Sequence, residues 1–505
     1  MKRNQTLNLI GAVTLVTLAA KLLGIIREAL QARAFGTLAA ADLYTAANNN
    51  SIYLFTTAAY ALCIAAVPIL TPRLRRSRKE GYEAAGNLLT ITILVCAVVA
   101  ALWIGATYTP LMQSLWDGTA EETAQLGAYM RVMALTLPVI GATYLLVALM
   151  QSLEHFVLQG SMSIPYNLAL ILFLAVFAGQ MGVGGYVAAV AAAWLLQLGM
   201  TAPYMVKEKY RPRFHLDLRA DYVKTFFRTA LVTALTTSIF LFCYLQDSGM
   251  TARLTGSPVS AFYYADKLFT PLTTTLIYSI STVLFPKFSQ EYAATDQKTY
   301  RRYIWGVLRS TLAIILPMSM VLAVFGTPIV QVLFEGGNFD AASTAATGAI
   351  FTIYSLSMAG FCALDLLSKA YYTMEKTLTP LLVNAGILAC NWVLNRLMGP
   401  RWGGAGLAAA TAVSISAGGL LMGVLFLWKT GGIQTRPLVK SLLCTVTTGG
   451  MLWVLTARVL NGAEGKALLV VKCVGMGAAA AVVYVLLMLL VRQEDFRDLM
   501  RRYKT

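Results

Sequence analysis

The sequence predicts an all-α polytopic membrane protein: 14 transmembrane helices, in two six-helix lobes related as parallel repeats, plus two C-terminal helices. Three observations lead there. The 505 residues are 58% hydrophobic and only 12% charged, with a mean hydropathy of +0.66, whereas soluble chains are about 25% charged. Apolar windows of 18 or more residues recur along the whole length, each long enough to cross a bilayer as a helix. Segments of the first half also reappear in the second at a nearly constant offset.

The expected spans fall at about 7–32, 38–71, 87–108, 127–150, 161–179, 184–206, 224–246, 258–285, 304–327, 345–370, 378–398, 403–428, 437–458 and 467–491. The N-terminus, MKRNQTLNLIGAVTLVTLAAK, has the basic start, apolar run and small residues of a signal peptide. Charged helical sequence continues straight on, so an uncleaved first helix is expected. An even number of spans puts both termini on one side. With the N-terminus inside, about 29 of the 40 Lys and Arg residues fall on inner loops and tails, which places both termini in the cytoplasm. The net charge of +17 is thus mostly a topology signal. The loops Arg73 to Lys79 and Lys207 to Arg228 also suit anionic membrane lipids. No recognition module accompanies them, which argues against a nucleic-acid partner.

The repeat is visible in three places. TPLMQSLW at 109–116 resembles TPIVQVLF at 327–334, MSIPYNLAL at 162–170 pairs with TLTPLLVNA at 377–385, and GGYVAAVAAAW at 184–194 resembles GGAGLAAATAV at 403–413. Six spans separate the copies, and an even number preserves orientation. The expected lobes are residues 1–215 (spans one to six) and 216–430 (spans seven to twelve). Residues 431–505 hold the last two spans and a cytoplasmic tail.

Span one is unusual in its charge. KLLGIIREALQARAFGTLAAAD, from Lys21 to Asp42, carries Lys21, Arg27, Glu28 and Arg33 where hydrocarbon should be. One charged side chain at the centre of a membrane helix costs roughly 2.5–3.5 kcal/mol on insertion scales, so a set of them should face protein or water. On a regular helix Lys21 and Glu28 share a face while Arg27 points about 120° away; either Gly24 bends the helix or the charges span a wide arc. Asp42 opens span two, and Asn48, Asn49 and Asn50 sit inside it. These amides either face an aqueous cavity or bond between helices. Span eight, SAFYYADKLFTPLTTTLIYSISTVLFP, holds Asp266 and Lys267, then Thr270 and Pro271. If span one opens the first repeat, span eight belongs to the corresponding part of the second, and each half carries an acid–base set near the midplane. That is the pattern of a transporter site. In span ten, Asp365 and Lys369 have the spacing of a structural helical ion pair. Asn391 and Asn395 in span eleven share a face, with Thr411 of span twelve as a neighbour. They form a candidate cation site built on neutral oxygens, with packing the favoured role.

Catalysis and metal chemistry find no support. The sequence has no Walker A loop, no HExxH and no Ser/His/Asp arrangement. Its seven cysteines are scattered through apolar runs without metal-ligand spacing, and His155 and His215 fall in predicted loops. No catalytic residue, metal or cofactor is expected. The natural energy source is a coupling ion, Na+ or H+, or the membrane potential.

With these residues in place, the sequence resembles the MurJ-type (MviN) lipid II flippases, a branch of the multidrug/oligosaccharidyl-lipid/polysaccharide exporter superfamily. KLLGIIREALQARAFGTLAAADLY is similar to the family's first-helix signature, S-R-x-L-G-x-x-R-[DE]-x-x-x-A-x-x-F-G with an aspartate opening helix two. YYADKLFTPL resembles Y-Y-A-D-R-L. VLFEGGNFD at 332–340 and AYYTMEKTLTP at 370–380 resemble R-G-x-F and A-F-Y-A-x-x-D-T-x-T-P. The resemblance runs from about residue 17 to 411. It implies a solvated cationic cavity between lobes, lined by spans one, two, seven and eight, that opens alternately inward and outward and binds the pyrophosphate of an undecaprenyl-linked peptidoglycan precursor. It makes Lys21, Arg27, Glu28, Asp42 and Lys267 site residues. The last two helices would form the groove for the polyprenyl tail.

Departures matter too. Helix two lacks the family's basic pair and Pro-Asn, carrying NNNSIYLFTTAAY instead. Thr270 replaces an acid, and Lys21 and Lys267 replace arginines; lysine lacks the planar fork that suits phosphate. The expectation is therefore a flippase for lipid II in a bacterial cytoplasmic membrane, serving cell-wall synthesis and working beside cell-wall synthesis enzymes. Its alternatives are a flippase for a related polysaccharide or spore-wall lipid-linked glycan, a cation-coupled multidrug exporter, and a membrane scaffold.

Overall fold

The computed structural model describes residues 3–110, 116, 118–237, 239–254, 259–374, 376, 378–428, 435–460 and 465–491. Most of the first copy of the TPLMQSLW repeat lies outside them. Among the described residues the chain is helical without strands, apart from an isolated bridge between Gly336 and Phe339.

Two compact units emerge from the contacts. The first comprises Met1–Arg253 with Pro258–Ser260 and Gly336–Phe339. Its helices are α1 (Arg3–Phe35), α2 (Ala39–Asn48), a π-helical turn (Asn49–Tyr53), α3 (Leu54–Arg76), α4 (Arg78–Ala106), α5 (Ala120–Ala134), α6 (Leu137–Ser152), α7 (Phe156–Ser161), α8 (Ile164–Val176), α9 (Ala178–Gly199), α10 (Ala202–Lys207), α11 (Asp221–Thr237) and α12 (Ile239–Thr251). The second comprises Leu254–Ser257, Ala261–Glu335 and Asp340–Thr505. It holds α13 (Val259–Ala294) from Ala261 onward, α14 (Gln297–Val324), α15 (Gly326–Leu333), α16 (Ala341–Leu356), α17 (Met358–Thr373), α18 (Leu378–Leu427), α19 (Arg436–Val459) and α20 (Lys466–Leu490).

Among the described residues, 9 helices are long and apolar enough to cross a membrane, and the pair α16–α17, bent by 42°, makes up to 10. Helix α18 runs 50 residues, about 75 Å at 1.5 Å per residue, more than twice a hydrocarbon core of about 30 Å. It breaks at Gly403 (φ 56°, ψ −140°), where the sequence separates spans eleven and twelve. Helices α1, α11, α12 and α13 occupy the places of expected spans one, seven and eight but are not among those that meet the criterion. The full set of 14 is therefore not counted by length and apolarity alone.

Several elements recur at one spacing. Thr119 caps α5 with a capping box through Glu122, and Asp340 caps α16 through Ser343; the two caps stand 221 residues apart. The starts of α6 and α17, Leu137 and Met358, keep the same separation. So do Gly182, which kinks α9 at φ 58° and ψ −156°, and Gly403. These recurrences follow the sequence repeat, with a slip of a few residues from its own offset.

Inside the first unit, an aromatic core gathers Phe35, Tyr44, Phe173 and Tyr186, and a second, aliphatic core joins Leu70, Leu88, Leu149 and Phe226. Outside the spans, the segment after α10 is tied down by charge. His155 Nε2 lies 2.7 Å from Glu208 Oε1, and Arg78 pairs with Oε2 of the same carboxylate. These hydrogen bonds hold the Glu208 carboxyl below its ordinary value of 4.5. A depressed carboxylate stabilises the fold above its ordinary pKa and stops doing so as pH falls through the lowered one. Acidification below the ordinary carboxylate range should therefore lower the amide protection factors across 208–219, that is, speed exchange relative to its intrinsic rate at each pH, and Glu208→Gln should flatten that dependence.

Candidate functional site

Helix α1 is continuous through Gly24, so its charges span a wide arc rather than one face. Lys21 and Arg33 are exposed, Arg27 is partly buried and Glu28 is buried. The Arg27 guanidinium donates to Glu28 Oε1, and its carbon stands 5.4 Å from the centre of the Tyr166 ring on α8. One turn on, buried Gln31 accepts a 2.8 Å hydrogen bond from Tyr186 Oη of α9. Asn167 Nδ2 donates to the Ala20 carbonyl at 3.4 Å. The Arg27 charge is thus met by an acid neighbour and an aromatic face, while the amides of Gln31 and Asn167 tie α1 to α9 and α8.

In the second unit Asp266 and Lys267 repeat this chemistry. Lys267 Nζ lies 3.8 Å from Asp266 Oδ2 and 5.2 Å from the centre of the Tyr263 ring. That separation is too long for a hydrogen bond, so the ammonium is attracted by its neighbour without being bonded to that oxygen. Thr270 Oγ1 donates to Asp266 Oδ1 at 2.7 Å. In both pairs the acid is deeper than the cation. Side-chain exposure is 11% for Arg27 against 6% for Glu28, and 22% for Lys267 against 8% for Asp266. Each cation thus stands beside an acid and a tyrosine ring.

The two pairs are not repeat mates, contrary to the sequence expectation. At the spacing that relates α5 to α16, Asp266 and Lys267 correspond to Thr45 and Ala46 of α2, while Arg27 corresponds to Ser248 of α12. The likeness is one of chemistry, not of repeat position.

The polar residues at the start of the second span have structural partners. Asp42 Oδ1 accepts from the Ser260 backbone N–H at 2.8 Å and its hydroxyl at 2.6 Å, satisfying a helix-start donor that would otherwise be orphaned. Asn48 and Asn49 are buried. Asn49 Nδ2 donates to Tyr244 Oη and Ser248 Oγ, each at 3.0 Å, so it bonds between helices. Asn50 Nδ2 turns back to the Ala46 carbonyl at 2.9 Å. The helix widens into its π-helical turn at Asn49–Tyr53, a distortion that often accompanies functional sites.

Asn391, Asn395 and Thr411 come together as expected. Asn391 Nδ2 donates to Thr411 Oγ1 at 2.6 Å, and Asn395 Nδ2 to Asn391 Oδ1 at 3.3 Å. The chain of bonds joins the two limbs of α18 across the Gly403 break. With all three buried, Asn391→Ala removes both bonds and should cost about 1–3 kcal/mol, read as a lower melting temperature in detergent. Asp365 and Lys369 form the expected structural pair at 3.1 Å.

Sequence reasoning did not single out Gln31, the tyrosines at 166, 186 and 263, Asp247 or Arg301. Asp247 is fully buried on α12 and Arg301 is 3% exposed, its guanidinium donating to the Phe426 carbonyl near the end of α18. A charged residue just outside a predicted apolar window was the available signal for both.

An apolar groove of about 460 Å³ lies in the second unit among α13, α14, α19 and α20, lined by Leu272, Leu276, Pro317, Met320, Leu452 and Tyr484 among others. Helix α13 thus carries Lys267 and, starting five residues later, the groove wall at Leu272 and Leu276.

The chain is similar to known proteins over most of its length. The family described as Lipid II flippase MurJ matches residues 31–491. The Lipid II flippase MurJ of Burkholderia cenocepacia is 26% identical over 435 residues, covering 83% of each chain. A probable lipid II flippase MurJ of Vibrio cholerae is 26% identical over 522 residues, covering 96% of each. Among solved structures, a Lipid II flippase MurJ in an inward closed conformation superposes with a TM-score of 0.78 at 17% identity, over 97% of this chain and 99% of that one. An inward-facing multidrug resistance MATE transporter of the MOP superfamily gives 0.66 at 12% identity, over 82% of this chain and 98% of that one. This multi-pass membrane chain therefore belongs to the Lipid II flippase MurJ family.

Proposed function

We propose that the protein is a flippase that moves undecaprenyl-pyrophosphate-linked peptidoglycan precursor, lipid II, from the inner to the outer leaflet of a bacterial cytoplasmic membrane. Lobes of residues 1–215 and 216–430 would alternate access to it, with both termini cytoplasmic. The observation that carries the reading is the pair of anchored cations. Arg27 and Lys267 each sit against a tyrosine face beside a deeper acid, and each such cation is suited to binding and releasing a phosphate. Seating the tail in the groove beside Leu272 and Leu276 fits the same reading, because the last two helices, α19 and α20, form its far wall. The protein makes and breaks no covalent bond; an ion gradient or the membrane potential drives it. Lipid II, anionic lipids and cell-wall synthesis enzymes are its partners.

The test is depletion. Rapid loss of the protein in a strain with no second lipid II flippase should leave precursor trapped in the inner leaflet, and re-expression should restore its exposure outside. Unchanged exposure would reject the reading.

A further inference from the structure

The segment between α10 and α11 is a strap, irregular from Tyr210 to Asp217 with a turn at each end, and its outer face is exposed. Its backbone is locked onto α4. Asn87 pairs with it as a strand would: Nδ2 donates to the Asp217 carbonyl at 2.9 Å, and the Asp217 N–H donates to Asn87 Oδ1 at 2.7 Å. The His215 N–H donates to Thr90 Oγ1 at 3.1 Å. A Cβ on Gly86 would stand 2.6 Å from the Arg213 carbonyl, so only glycine lets the strap approach there. The ends are held as well, by Tyr82 Oη on the Glu208 carbonyl at 2.8 Å and by Arg73 on Asp221 at 3.1 Å.

So fixed, the strap displays two faces. Alternate residues of an extended chain point to opposite sides. Phe214 and Leu216 fall on one side and are 75% and 51% exposed. Arg211, Arg213 and His215 fall on the other, with half-buried Asp217, and are exposed too. Leu218, 64% exposed, and Arg219 follow in the turn that ends the strap. The level of the strap is set by its anchors. Gly86, Asn87 and Thr90 stand where the apolar run of α4, LLTITILVCAVVAALWIG, begins at Leu88. An apolar window of that kind enters the hydrocarbon at its first turn. The chain also leaves a candidate span at Lys207 immediately before the strap.

We infer that residues 211–219 are an in-plane membrane anchor. Phe214, Leu216 and Leu218 insert into the headgroup boundary of the bilayer the protein spans, and Arg211, Arg213 and Arg219 engage the phosphates of anionic glycerophospholipids in that leaflet. Three apolar side chains with basic residues between them match an anionic interface in both polarity and charge. The strap suits this because Asn87 and Thr90 hold its backbone at Asp217 and His215. The inference stands apart from the identity of the transported substrate.

The test uses the full chain in lipid nanodiscs. In a background with the native cysteines replaced, a nitroxide is placed at residue 211, 213, 214, 216 or 218 in turn. Labels at 214, 216 and 218 should collide with oxygen more than with a water-soluble nickel chelate, and those at 211 and 213 the reverse. Nickel dominance at all five positions overturns the insertion. For the charge, Arg211→Gln/Arg213→Gln/Arg219→Gln should retain about threefold less phosphatidylglycerol relative to phosphatidylethanolamine on purification, and the triple Arg→Lys variant should restore it. Equal retention in wild type and the Gln variant overturns the lipid assignment. So does strap insertion that occurs only when undecaprenyl pyrophosphate is added, since the anion would then be the transported lipid and not the leaflet.

Discussion

Arg27→Ala should fail to support growth of a strain depleted of its own lipid II flippase, with transport down roughly 100-fold, equivalent to about 2.7 kcal/mol of lost charge-assisted bonding to a phosphate. Two effects combine in that variant and can be separated. Arg27 is the bonded neighbour of Glu28, whose side chain is only 6% exposed. Removing one partner of a buried pair costs roughly 3–5 kcal/mol, because the other charge stays behind. Abundance should therefore fall as well. Arg27→Ala/Glu28→Gln removes the stranded charge, so abundance should recover while transport does not. Arg27→Lys keeps the charge but loses the planar fork and should be intermediate. Its counterpart Lys267→Arg supplies that fork beside Asp266 and should be tolerated, because an aromatic face at Tyr263 stacks a guanidinium at least as well as an ammonium. Full complementation by Arg27→Ala at normal abundance would reject the cationic site and favour a scaffold.

Much of this site was legible because charge inside an apolar helix is a local signal. Arg27, Glu28, Asp266 and Lys267 stand out from their windows without any knowledge of contacts, and Asn391 with Asn395 is visible as an i, i+4 pair that α18 then joins to Thr411. What the windows hide is who answers the charge. The rings at 166 and 263 and the amide of Gln31 are ordinary residues of membrane helices until folding brings them to a cation or a hydroxyl. Asp42 shows the opposite error. Its position after the first-helix motif marks it as special, yet its carboxylate accepts hydrogen bonds from Ser260, 218 residues away, and from the neighbouring Val259 backbone. Counting basic residues by loop also treats them as interchangeable. Arg301 enters that count as a topology charge, yet it is buried against the Phe426 ring and carbonyl.

Gly36→Ala should be among the most destabilising single methyl additions in the first unit, and Gly337→Ala should match it. Helix α1 ends at Gly36, in the left-handed region at φ +61°, and Gly337 sits at φ +59°. Between them the end of α1 is closed by a loop 304 residues further on: the Asn338 N–H donates to the Arg33 carbonyl at 2.9 Å, and Asn338 Nδ2 to the Ala34 carbonyl at 2.6 Å. These bonds satisfy carbonyls that a helix end leaves open. A Cβ on Gly36 would stand 2.1 Å from the Asn338 carbonyl oxygen, and one on Gly337 would stand 2.4 Å from that of Arg33. Both obstacles are backbone, so no side-chain rotation relieves them. The left-handed conformation alone costs an alanine roughly 1–2 kcal/mol, and separating the segments forfeits two hydrogen bonds of about 0.5–1.5 kcal/mol each. A loss of about 2–5 kcal/mol follows, seen as a lower melting temperature and faster proteolysis at 336–339. Asn338→Ala, which removes the side-chain bond without the clash, should lose about 0.5–1.5 kcal/mol. Gly105→Ala is the control: it lies in α4 with nothing within 4 Å of the added carbon and should gain up to about 1 kcal/mol from helix propensity. If Gly36→Ala behaved like Gly105→Ala, the 336–339 loop would not be closing α1. Loss of transport in Gly36→Ala at restored abundance would tie the end of that helix to Arg27, nine residues earlier on the same rigid element.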